Sequence, residues 1–312
     1  MIALKIIEFV VLLASAPLAR GIIMRLKAIL QRRRGASVLR PYYELWKLIH
    51  KEEIVPPSAS WLFRAGPRMA FALTVAAAAF IPLLCFSGLL SFTGDFILLI
   101  YLLAFARFIL MLGALDPGSS FGGMGASREA MVSALAEAPL LLSLIAVAIV
   151  SRSASIASIS AWTWQQEFFD ISAVHVLAIT ALIFVLLAET GRMPVDNPAT
   201  HLELTMLHEA MVLEYSGPAL AFIESVQALK LNLLIALAIA LFAPWGIAAA
   251  TGFAASVIAL GAFAVKWCLA LAAIAVLESI VAKLRMYVVP EFLGIASALA
   301  ILAIVFTVIL RK

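Results

Sequence analysis

The stretch from Ala188 to Gly217, AETGRMPVDNPATHLELTMLHEAMVLEYSG, holds five of the chain's 18 acidic residues and two of its four histidines. Its titratable groups are Glu189, Arg192, Asp196, His201, Glu203, His208, Glu209 and Glu214. Carboxylates gathered in a partly dry site repel one another, which lifts some of them toward neutrality and lets them exchange protons at cellular pH. A helix over 200–215 places Glu203 and Glu214, 11 residues apart, within about 20° of each other at roughly 100° per residue. His201 and His208, seven apart, also share a face. They lack the His-Glu-x-x-His spacing of a metal site and read as titrating or hydrogen-bonding groups. No metal is expected here, and the chemistry implied is proton handling.

The chain around this segment is apolar. Of 312 residues 65% are hydrophobic and only 13% charged, against roughly 25% in soluble domains; the mean hydropathy is +1.11. These figures imply an all-α integral membrane protein, and no polar stretch is large enough for a separate soluble core, so residues 1–312 read as a single membrane domain. Cys85 and Cys268 sit alone in apolar runs, without the paired spacing of a zinc or iron–sulfur site. His175 is the one histidine inside a span, which argues against a bis-histidine haem. No cofactor is expected on this chain, and any electron transfer belongs to partners.

A membrane helix needs about 20 apolar residues, and that rule yields eight spans, at 2–24, 68–92, 95–113, 129–150, 171–189, 229–250, 253–277 and 291–310. Ala14-Ser15-Ala16 resembles a signal cleavage site, but Glu8 interrupts the run before it and the helical pattern continues beyond it. Residues 25–68 carry ten Lys or Arg against three acids. Short loops rich in Lys and Arg stay cytoplasmic, so this segment, 113–128, 190–228 and 279–290 are expected inside the cytoplasmic (inner) membrane, with both termini on the outer face. Trp162, Trp164, Phe168 and Phe169 suit an aromatic belt at that outer interface. Residues 42–53, YYELWKLIHKEE, place Tyr42, Leu45, Trp46 and Ile49 at helical spacing opposite Glu44, Lys47 and Lys51, the pattern of an interfacial amphipathic helix.

An ionised side chain deep in hydrocarbon costs about 3 kcal/mol or more and usually faces a protein interior or a water path. Arg107, Glu137, Glu189 and Lys266 fall inside or at the ends of spans and form a candidate polar track. Glu137, just before Pro139, suits a relay group near a helix distortion. The plainer readings are a structural ion pair for Arg107, snorkelling for Lys266 and a headgroup position for Glu189.

AETGRMPVD followed by EYSG resembles the signature of the complex I subunit 1 family, and the run Gln31-Arg32-Arg33-Arg34-Gly35, YYELWKLIHKEE and FGGMGASREAMVSALAEAPL match further blocks of that family in the same order. The resemblance covers nearly the whole chain. Quinone-reducing members usually read Asp-Leu-Pro-Glu-(Gly/Ala)-Glu after Pro-x-Asp, whereas this chain reads DNPATHLELTMLHEAMVLEYSG; YLLAFARFILMLGALDPGSSFGGMGASRE is similar to the hydrogenase-4 and formate hydrogenlyase membrane subunits. The missing acids put quinone binding in doubt. The resemblance implies a membrane foot that anchors [NiFe]-hydrogenase large and small subunits and ferredoxin-like iron–sulfur subunits, which carry the [NiFe] centre and clusters, and links them to antiporter-like membrane subunits. It implies that Arg32, Arg33 and Arg34 with the 42–53 helix, including Trp46 and Lys47, form the docking surface and cavity rim, joined by Arg285. Glu189, Arg192, Asp196, Glu203 and Glu214 would line a charged funnel that Glu137 continues, with Arg107 included by position. Two other readings are a quinone-site subunit of complex I and a stand-alone secondary transporter, although no internal repeat of the transporter kind is visible.

Overall fold

A computed structural model describes residues 2–86, 88–166, 173–196, 208–247 and 253–309. The described residues are helical throughout their regular structure: α1 Ile2–Leu30, α2 Arg40–Ile49, α3 Trp61–Ala78, α4 Asp95–Leu115, α5 Ser120–Ser151, α6 Ile156–Gln165, α7 Ala173–Glu189, α8 His208–Val212, α9 Gly217–Phe242, α10 Phe253–Ile280 and α11 Val289–Ile309. Six of these are long and apolar enough to cross a membrane, and α7 is a shorter apolar helix. The protein is a multi-pass membrane protein.

Two expected spans differ in the structure. The run 68–92 is half helix: α3 ends at Ala78 and the chain turns irregularly before α4. Pro82 explains the break, because it has no N–H to donate and disfavours helix at the residue before it. Glu8 of α1, 2% exposed, compensates by accepting hydrogen bonds from the freed N–H groups of Leu84 and Cys85, which backbone inside a bilayer cannot leave unmet. The run placed at 229–250 begins instead at Gly217. Pro218 at the first turn is the start signal, its fixed φ suiting that position.

α9 is the axis of the bundle. Its apolar window is 72% buried, against 28–50% in the other candidate spans, and it packs on α1, α3, α7 and α10. α5, α7 and α11 form a second group, and α3 pairs with α4. The loops join at two opposite ends. At one, Ser60 N–H bonds Asp116 at 2.6 Å, Ile54 N–H bonds Ser216 at 2.8 Å and Lys283 pairs with Asp196 at 2.9 Å. At the other, Asp95 accepts from Ile156 N–H at 2.8 Å and Ser155 Oγ at 3.0 Å. This is the alternation that the spans imply.

α2 runs over Arg40–Ile49 and not 42–53, ending at His50. Pro41 is its buried residue, Tyr42 donates to the Ala14 carbonyl of α1, and Trp46 is 68% exposed. Burial pushes the Tyr42 phenol up. Between Arg152 and Gln166 the structure adds helix α6, and its Trp162 stacks on His175 with centroids 5.7 Å apart while Trp164 meets Phe86 edge-on. Phe168 and Phe169 lie outside the described residues.

Candidate functional site

α9 sets the geometry of the charged interior. Glu224, Gln227 and Lys230 are spaced by three residues, and at about 100° per residue they fan across roughly 120° of the helix surface. Glu224 therefore reaches α1, where it pairs with Arg20. Lys230 turns the other way, toward α4 and α7. There its Nζ lies 2.6 Å from Glu189 Oε2, and Arg107 Nη2 of α4 reaches the same oxygen, also at 2.6 Å. The three side chains are 12%, 2% and 9% exposed for Lys230, Glu189 and Arg107. Isolated, any of these charges is costly in a low-dielectric interior; together they compensate one another.

This triad lines an enclosed cavity of about 50 Å³, shared with Thr74, Glu129 and His208. The volume holds about three waters, and its polar wall supplies their partners: Glu189 Oε1, Arg107 Nε and His208 Nε2 are buried without a hydrogen bond among the described residues. Burial holds the His208 imidazole below its ordinary pKa, with Lys230 acting in the same direction and Glu129, Glu224 and Glu209 opposing.

A second carboxylate centre lies beside the first. Glu278 of α10 accepts from Lys27 Nζ at 3.1 Å on one oxygen and from Arg192 Nη1 at 2.8 Å on the other. Arg192 and Asp196 follow α7, and Leu284 N–H to the Pro194 carbonyl at 2.8 Å ties that turn to the segment after α10. Glu278, Lys27 and Arg192 face a wider cavity of about 510 Å³, whose wall also includes Arg20, Arg33, Arg34 and Arg40. Thr190 and Gln227 line both cavities. A basic mouth thus leads to the enclosed triad through two neutral polar side chains.

The EYSG motif performs a different task from the one expected of its acid. Tyr215 stacks on Phe63, centroids 4.1 Å apart and planes 2° from parallel, and a Cβ on Gly113 would run into its hydroxyl. Burial pushes the Tyr215 phenol far above its ordinary range. Ser216 Oγ accepts from Ile54 N–H at 2.8 Å. Gly217 has φ +54°, and a Cβ there would stand 2.6 Å from the Glu52 carbonyl oxygen. The motif latches the segment after α2 onto the start of α9. Glu214 is half-buried beside it and does not line the enclosed cavity.

The other expected residues are distributed as follows. Glu137 stands half-buried on α5, two turns beyond Glu129, and outside both cavities. Lys266 donates to the Ala243 and Trp245 carbonyls at 2.7 and 2.9 Å and caps the end of α9 at the opposite end of the bundle, so it is not part of the cluster. Glu209 is half-buried in α8, which ends at Val212 and does not continue to Glu214 as a helix over 200–215 requires. Glu203 and His201 lie outside the described residues. Arg32, Arg33, Arg34 and Lys47 are exposed at the basic end, and Arg285 donates to the Tyr287 hydroxyl at 2.7 Å. Lys230, Glu278, Lys27 and Glu129 were not legible as site residues. A span drawn from Leu229 leaves Lys230 at its edge, where a cation reads as a headgroup anchor; the lone charges in QALKLNLL and VLESIVAK were the available signals.

A family model described as NADH dehydrogenase matches residues 2–309. Formate hydrogenlyase subunit 4 of Escherichia coli (strain K12) is 33% identical over 300 residues, covering 96% of each chain. Hydrogenase-4 component C of the same organism is 33% identical over 302 residues, 96% of this chain and 93% of that one. A membrane subunit of the NADH-quinone oxidoreductase of Rhodopseudomonas palustris (strain BisA53) is 28% identical over 256 residues, 75% of each. Among solved structures, a chain of the membrane-bound sulfane sulfur reductase, an archaeal respiratory membrane complex, superposes with a TM-score of 0.86 at 21% identity, covering 98% of both chains. The chain belongs to the NADH dehydrogenase family, the complex I subunit 1 family that its motifs resemble.

Proposed function

We propose that this chain is the membrane-anchoring and ion-coupling subunit of an energy-converting complex of the [NiFe]-hydrogenase or formate hydrogenlyase type. It joins a peripheral redox arm to antiporter-like membrane subunits. The observation that carries this reading is the passage from the basic mouth to the buried Arg107–Glu189–Lys230 triad through Thr190 and Gln227. On this reading the basic end is cytoplasmic, both termini lie on the outer face, and Arg33, Arg34, Trp46, Lys47 and Arg285 receive the peripheral subunits.

A change of charge at the mouth acts on the triad through a medium of low dielectric, where a unit charge several ångströms away is worth far more than in water. A triad that answers by taking up or releasing an ion converts redox energy into ion movement. The electron carriers, a [NiFe] centre and iron–sulfur clusters, reside in the partners, and this chain contributes no cofactor of its own. A cavity of about 50 Å³ accommodates waters and not a quinone ring, since pockets for such ligands run to about 300 Å³ and more. The nearly full-length likeness to formate hydrogenlyase subunit 4 and hydrogenase-4 component C supports this branch over the quinone-reducing one.

The test is purification of the tagged protein in mild detergent, with mass spectrometry of what elutes beside it and a hydrogen-evolution assay on the same fraction. Co-elution of a [NiFe] large subunit with hydrogen activity is expected. NADH-oxidising partners with quinone reductase activity would assign the chain to the quinone branch instead, and a chain that elutes alone would contradict the anchoring role.

A further inference from the structure

We propose that Lys230 is a two-position charge carrier, its ammonium moving between Glu189 and Glu129 across the enclosed cavity. The inference rests on the coupling role above. It begins from charge balance. Glu189 Oε2 is held by Arg107 and Lys230 at equal distances of 2.6 Å, so Arg107 alone neutralises it and Lys230 is in excess. Glu129 of α5 lines the same cavity and has no cation within ion-pair distance among the described residues. Counted over the cavity wall, Arg107 and Lys230 balance Glu189 and Glu129, with Lys230 bonded to the carboxylate that needs it less.

The two cations differ in the way such a device requires. Arg107 is a planar fork held in place, whereas Lys230 is a compact charge on a flexible four-carbon stem. The cavity of about 50 Å³ gives that stem room to turn without backbone movement. No covalent bond forms or breaks in the swing and the proton count is unchanged; only the ammonium's hydrogen-bond partners are exchanged. In the first position Lys230 leaves Glu129 uncompensated against the cavity. In the second, Glu189 keeps Arg107, Glu129 is neutralised, and the field alters at His208, whose Nε2 is buried and unbonded, and at Gln227 on the way to the basic mouth. Two discrete arrangements of one buried charge form a two-state element that an outside charge can bias.

The test uses the assembled complex. Electron cryomicroscopy of the Glu189→Gln variant should find the Lys230 side chain turned onto Glu129, because an ammonium prefers the remaining carboxylate to an amide. A Lys230 still directed at position 189, or at the basic mouth, would overturn the proposal. In sealed vesicles, Glu129→Gln and Lys230→Met should each lower the ions moved per electron by about tenfold, and the double variant should lose no more than either single one, the signature of residues acting as a pair. Losses that multiply, or an unchanged ratio in Glu129→Gln, would refute it. A wild-type complex that moves no ion at all would instead refute the coupling role on which the inference rests.

Discussion

Asn232 shows how single polar side chains hold this bundle. It is fully buried on α9, donates to the Leu12 carbonyl at 2.8 Å and to Ser15 Oγ at 2.9 Å, and accepts from Trp267 Nε1 at 2.7 Å. Polar contacts between membrane helices contribute about 0.6–2 kcal/mol each. Asn232→Leu should therefore cost about 1–3 kcal/mol, and Trp267→Phe less, as read by thermal unfolding of the detergent-solubilised protein. His208 carries a pH signature. Its pKa is lowered in the fold by burial, so its full contribution to stability is present above the ordinary value of 6.5 and is lost as pH falls toward the folded value, because only the unfolded chain gains a proton. His208→Gln should flatten the acid-side loss of thermal stability just below pH 6.5, and an unchanged profile would contradict the burial assigned to it. Glu189, Arg107 and Arg192 were legible as isolated charges beside or within apolar runs. Their partners were not, because Lys27 sits at a helix end and Lys230 and Glu278 each mark a lone position whose mate lies on another helix.

At the scale of elements, the latch between the segment after α2 and the start of α9 is the least expected feature. The family signature groups the Tyr-Ser-Gly run with the acid of the charged funnel, yet its three residues serve packing, a side-chain bond and a close backbone approach. Gly217 combines positive φ with the Glu52 carbonyl against its Cα. Gly217→Ala should cost about 1–3 kcal/mol from backbone strain together with a comparable overpacking term, more than Ser216→Ala, which removes the bond to Ile54 alone. Hydrogen exchange over residues 50–56 reports both, and equal protection in the two variants would contradict the latch. The break after α3 was likewise hidden: hydropathy averages over Pro82, and only the tertiary bond from Glu8 reveals that the freed backbone is satisfied.

On the scale of the whole molecule, the alternation of loops was the most legible feature, since it follows from span number and the distribution of Lys and Arg. What it could not supply was depth. Eight apolar runs leave open which charges meet, and the fan of Glu224, Gln227 and Lys230 emerges only once α9 is seen to start at Gly217. The basic rim gives a prediction about assembly: Arg33→Glu with Arg34→Glu should release the peripheral subunits during mild-detergent purification, and an intact complex would reduce the rim to an orientation signal. The central claim is that the triad links redox events to ion movement. It is tested most directly by the number of ions moved per electron in sealed membrane vesicles carrying the assembled complex with Glu189→Gln. The account predicts that this ratio falls to near zero in the variant while the wild type builds a gradient; a variant that retains the wild-type ratio would contradict it.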